Sequence, residues 1–178
     1  MIKYIITLAL FSCALFGCDE GFNFKGAVTG NQIYFQYEYM NHAWGFQQHG
    51  WLIDSAGNVY CYNLPENWYE PDSNGVIEAD ALKANILKTD SICYSINSTD
   101  LNIKIQLIEA AADGVLKEPV SVMADAGAFS YYAFLYDANA EKYQRILLWQ
   151  TGDNLIENTS VEAKELFEWL DEINQAIH

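Results

Sequence analysis

The stretch that most limits the fold is residues 43–63. Two aromatic, β-favouring runs there flank Asp54-Ser55-Ala56-Gly57-Asn58. Gly57 supplies the positive φ that a type I turn with a G1 bulge needs. A hairpin closed at that turn sets Ile53 opposite Val59 and Trp51 opposite Cys61 on one face, and Leu52 opposite Tyr60 on the other. Apolar groups stand on both faces, so this hairpin belongs inside a sheet covered, at least in part, on both sides.

The rest of the chain supplies partners for it. Residues 33–40 alternate, with Ile33, Phe35, Tyr37 and Tyr39 on one face and Tyr34, Gln36 and Glu38 on the other, the pattern of a half-buried strand. Residues 128–137 and 143–151 read as two more strands, joined by a turn around Ala138-Asn139, and Gly152-Asp153-Asn154 breaks the second. Residues 91–97 look extended. Residues 64–75 hold Pro65, Pro71 and Asn74-Gly75 and form a loop with Trp68 and Tyr69 at its tip. Residues 78–88 fit a short helix with Leu82 and Ile86 inward. Residues 101–112 alternate like a strand, but Ser98-Thr99-Asp100 before them, the alanines and Gly114 after them favour a helix. The last helix has Thr159 as cap and Glu162 three residues on, followed by a stripe of Ala163, Leu166, Phe167, Leu170, Ile173 and Ile177. The expectation is one α+β domain over residues 31–178: an antiparallel sheet of about five strands with helices packed on one face.

Charge narrows the partners. The chain carries 9 basic and 24 acidic residues, a formal net charge of −15. Such a surface repels nucleic acid, which excludes that class of partner. Aromatic residues make up 15% of the chain, enough to build a core and leave rings for a surface.

The N-terminus resembles that of bacterial lipoproteins. Lys3 is followed by an apolar run, residues 4–16, too short to span a bilayer. The run ends in Leu15-Phe16-Gly17-Cys18, which resembles a lipobox. The resemblance implies a signal peptide over residues 1–17, acylation of Cys18 and a lipid-anchored tether over residues 18–30. More than one acyl chain gives a stable anchor. It places the protein in the cell envelope, facing the periplasm or the surface, with the membrane as a partner through its lipid. Asp19-Glu20 resembles a surface-export signal of some bacteria and, in its aspartate, an inner-membrane retention signal of others. The leader covers about a tenth of the chain and implies nothing about the domain behind it. Outside the cytoplasm Cys61 and Cys93 can form a disulfide; two separate buried thiols are the alternative.

Few residues carry a chemical signature. His42 and His49 flank Trp44, but a seven-residue gap puts them on no common helical turn and on opposite faces of a strand, so no metal site is expected. No nucleophile elbow, phosphate loop or zinc-helix motif occurs, and no motif requires a cofactor or assigns a catalytic residue. Trp44, Trp51, Trp68 and Tyr69 are candidate ligand-binding residues, since rigid rings stack on sugars or seat protein partners at low entropic cost. The first functional expectation is a membrane-anchored binding domain outside the cytoplasm that takes a glycan or an envelope protein. The alternatives are a carboxylate-dependent hydrolase of envelope or extracellular polymers using Asp54 or Asp125, and a structural or inhibitory envelope protein.

Overall fold

The structure is a computed structural model that describes residues 32–177. Cys18, the leader and the tether lie outside the described residues. Among the described residues nine strands and four helices follow one another as β1 (Ile33–Asn41), β2 (Gln47–Asp54), β3 (Asn58–Asn63), β4 (Val76–Glu78), α1 (Ala79–Ile86), β5 (Ser91–Ser95), α2 (Ser98–Ile105), α3 (Ile108–Ala112), β6 (Val120–Ser121), β7 (Ala128–Asp137), β8 (Lys142–Gly152), β9 (Asn154–Glu157) and α4 (Val161–Ile177). The strands form one antiparallel sheet in the order β5-β3-β2-β1-β7-β8-β9-β6, and β4 pairs with the start of β8.

The β2–β3 hairpin has the register its turn dictates: Ile53 opposes Val59, Leu52 opposes Tyr60 and Trp51 opposes Cys61. Gly57 sits at φ +83°, and a Cβ there would lie 2.4 Å from the Ile96 carbonyl oxygen. Asp54 holds the turn from within. Its carboxylate accepts from the amides of Ala56 and Asn58, from the Asn58 side chain and from the Tyr60 hydroxyl. Cys61 and Cys93 are disulfide-bonded across β3 and β5.

The sheet has nine strands rather than about five because β4, β6 and β9 are two to four residues long and carry no period of their own. Gly152-Asp153-Asn154 does break β8, but the chain turns back at once and pairs Gln150 with Ile156. The helices also depart from the expected single face. Phe35, Tyr37, Trp51, Ile53, Ala133 and Leu148 pack with Leu101 of α2, Ile108 and Ala111 of α3 and the stripe of α4. Leu52, Tyr62, Phe134 and Tyr143 point the other way and pack with Ala79 and Leu82 of α1. The alternation of the central strands is apolar in both directions, so one layer of helices cannot bury it.

Strand β1 lies between β2 and β7 and is buried along most of its length. A register irregularity between Ile33 and Phe35 sends Ile33 to the α1 side, away from Phe35 and Tyr37. The segment read as one helix over residues 101–112 is two, α2 and α3, and Asn97 caps the first by accepting from the Thr99 amide. Ser160, not Thr159, caps α4: its hydroxyl oxygen accepts from the amides of Glu162 and Ala163. Thr159 Oγ1 instead accepts from the Val115 amide. Among the described residues no helix is long and apolar enough to cross a membrane.

Candidate functional site

The four aromatic residues singled out in the sequence fall in different places. Trp44 stands 77% exposed beyond the tip of the β1–β2 hairpin, close in sequence to His42, which packs on Phe46. Trp51 is 1% exposed and belongs to the main core. Trp68 is half-buried, with its ring 4.3 Å from that of Tyr62. Tyr69 is exposed with the Lys88 ammonium over its ring. The structure does not gather them into one surface.

The carboxylates proposed for hydrolysis are also apart. Asp54 pairs with Ile33 at one end of β1, and its oxygens are engaged in the turn. Asp125 is an exposed turn residue at φ 61° whose backbone carbonyl accepts from Asn41 at the other end of β1. Eight residues of strand separate those ends, roughly 26 Å. Among the described residues no group of three or more His, Cys, Asp or Glu could hold a metal ion.

Two constellations that the sequence did not announce are assembled instead. The first lies on the α1 side of the sheet. Glu38 of β1 is 4% exposed and its Oε1 accepts from Gln48 Nε2 at 2.9 Å. The same nitrogen donates to Glu70 Oε1 at 2.9 Å, so two carboxyls face each other across one amide. Arg145 of β8 reaches Glu70 Oε2 at 3.4 Å and lies over the Tyr132 ring at 4.4 Å. Burial, then the neighbouring Glu70, push the Glu38 carboxyl from its ordinary 4.5 up to about 7. Gln36 closes the network by donating to the Tyr62 hydroxyl. The amide fills the gap between the carboxyls, and neither Glu38 nor Glu70 lines the two recesses described below. The cluster ties the 64–75 loop to the sheet.

The second constellation is an open groove on the opposite face, between the sheet and α4. Its floor follows from strand register. Tyr39 opposes Phe129, and Tyr37 opposes Tyr131 across β1 and β7. Phe129 opposes Thr151, and Tyr131 opposes Trp149 across β7 and β8. Successive side chains alternate faces, so these rings stand in rows on one side. Helix α4 supplies the wall with Phe167, Asp171 and Asn174, which share a face at spacings of four and three. Phe167 stacks on Trp149 at 4.7 Å and meets the edge of Tyr131. The open recess has a volume of about 350 Å³.

Three polar groups fix the groove. The Tyr131 hydroxyl donates to Asp171 Oδ1 at 2.7 Å. Burial and this carboxylate push the phenol far above its usual range, so it stays a donor. Gln175 donates to the other Asp171 oxygen. Trp51 Nε1 donates to Asn174 Oδ1 at 3.1 Å. Trp51 thus orients a groove residue from inside the core. It also lines a neighbouring recess of about 360 Å³ with His49, Asn63 and Asp90, above the disulfide.

Sequence reading ranked aromatics by local density and so chose the hairpin tip and the proline loop. The groove is instead written in long-range pairing. Its one local signal is that Asp171 and Asn174 flank the apolar stripe of α4, where a wholly buried face would carry aliphatic residues.

No protein-family model matches the chain, and comparison with curated proteins and with solved structures finds no match.

Proposed function

We propose that the chain is a lipid-anchored binding domain that works outside the cytoplasm and seats a small ligand in the groove between the sheet and α4. The observation that carries the reading is the groove itself: rows of aromatic side chains, of which Phe129, Trp149 and Phe167 are partly uncovered, with a carboxylate, an amide and a phenol beside them. Binding sites for small molecules are largely apolar recesses with a few placed polar groups, and the volume lies at the low end of their range. The tether rests on the resemblance of Leu15-Phe16-Gly17-Cys18 to a lipobox. The Cys61–Cys93 bond is at home in an oxidising compartment. Hydrolysis has no such support, since Asp54 and Asp125 stand at opposite ends of β1.

The test is calorimetric titration of wild type, Trp149→Ala and Trp44→Ala with small envelope components and neutral oligosaccharides, all three proteins shown folded by circular dichroism. The reading expects Trp149→Ala to lose binding and Trp44→Ala to keep it; the reverse pattern would sink it. Intact mass of protein taken from membranes tests the tether, with an N-terminus at acylated Cys18 expected and an unmodified full-length chain ruling it out.

A second reading, docking of an envelope protein, is favoured by exposed apolar residues along one sheet edge: Val115, Leu116, Val120, Val122 and Met123, with Val161 nearby in α4. A photo-crosslinker at position 122 in living cells should then yield one specific adduct, and the absence of any adduct removes this reading.

A further inference from the structure

The groove is electrostatically one-sided. Among the described residues no Lys or Arg lines it, and the one charged group that does is the Asp171 carboxylate. Tyr37, Phe129, Tyr131, Trp149 and Phe167 line one side of the space with π-systems, whose faces are electron-rich. Asn174 belongs to the last turn of α4, where unpaired carbonyls give the helix its negative end, and that turn holds no basic residue. The chain as a whole carries a formal charge of −15. An anion meets repulsion from each of these features. A neutral sugar gains from the rings but leaves Asp171 and the helix terminus without a counter-charge. A cation with an apolar skin satisfies both.

Resting on the groove as the binding site, we propose that its ligand is a small organic ammonium compound, with the charged head set against the aromatic lining beside the Asp171 carboxylate. A strongly hydrated inorganic cation is disfavoured because the walls offer it only one carboxylate.

The experiment compares choline with 3,3-dimethylbutanol, which has the same shape with carbon in place of the ammonium nitrogen. Chitotriose serves as the neutral glycan probe. The full protein is used in a polyoxyethylene detergent, free of choline and sugar headgroups, with indole N–H signals and calorimetry as readouts. The expected result is choline binding at least about tenfold tighter than the alcohol, as cation–π contact together with the Asp171 charge implies, with the Trp149 signal moving. Asp171→Asn keeps an oxygen for the Tyr131 hydroxyl and should weaken choline about tenfold while leaving the alcohol unchanged. Should that variant fail to fold, Phe167→Leu is read in its place. Equal binding of choline and the alcohol overturns the charge inference and leaves the groove standing. So does chitotriose binding at Trp149 without choline. Choline shifts confined to Trp44 or Trp68 overturn both the inference and the groove.

Discussion

Replacing Glu38 by Gln should remove a pH dependence that one buried carboxyl imposes on the whole domain. Glu38 sits in the central strand, paired across to Gly50 on one side and Ser130 on the other, and 4% exposed. Its pKa rises from 4.5 to about 7 because burial, then Glu70, disfavour the anion. The native state therefore keeps a proton that the unfolded chain has already lost between those two values. Unfolding free energy falls as pH rises through that window, by about 1.4 kcal/mol for each pH unit. Over roughly 2.5 units this amounts to about 3 kcal/mol, complete above pH 7 and absent below pH 4.5. Glutamine has nearly the shape of the protonated acid and presents an oxygen to the same Gln48 amide. Urea unfolding of wild type and Glu38→Gln from pH 4 to 8.5 reads the contribution of Glu38 together with its coupling to Glu70. The two proteins should be of similar stability at pH 4, and the variant should be more stable by about 3 kcal/mol at pH 8. Parallel stability curves across pH 5–7.5 would show that Glu38 is ionised in the native state and refute the argument.

Three further outcomes follow from the packing. Cys61→Ser with Cys93→Ser opens a cross-link between residues 32 apart, and the chain-entropy model puts the loss at about 3–4 kcal/mol in chemical unfolding. Trp51→Ala should cost about 3–5 kcal/mol, since the ring is buried and its nitrogen holds Asn174, whereas Trp44→Ala should fall within about 0.5 kcal/mol of wild type. Thermal melts of the pair decide it, and equal losses would contradict the placement of either ring. Ser160→Ala removes the oxygen that caps α4 and should cost about 1 kcal/mol, while Thr159→Val should cost less, a difference read by urea unfolding.

Much of the fold was legible because its strongest signals are local. The turn at residues 54–58 fixes the register of β2 and β3 by itself, and the apolar stripe of α4 survives from sequence to structure with its cap moved by one residue. What escaped depends on distant pairing. Strand β4 has three residues and exists because β8 offers an edge; β6 has two and exists because of β9. The second layer of helix was implied by apolar groups on both faces of the β2–β3 hairpin, yet that clue concerned one hairpin and was not extended to β7, whose Ala133 and Phe134 face opposite layers. The groove was hidden for the same reason. Tyr37, Tyr131 and Trp149 are about 94 and 18 residues apart in sequence and become neighbours only when β1, β7 and β8 pair. Glu38 was read simply as a polar member of an alternating strand. Its burial depends on Gln48 and Glu70 arriving from two other segments.

The central claim is that ligand meets the protein between the sheet and α4, and the chain carries its own reporters of that. It has five tryptophans, of which Trp169 of α4 meets Phe35 edge-on and does not line the groove. Trp149 lines the groove, Trp51 donates to groove residue Asn174, and Trp44 and Trp68 stand elsewhere. The most direct measurement is the indole N–H spectrum of protein labelled at tryptophan nitrogen, recorded as choline and then chitotriose are added. The account expects saturable shifts of Trp149 and Trp51 with Trp44 and Trp68 unmoved. Shifts at Trp44 and Trp68 with Trp149 and Trp51 unmoved would contradict it.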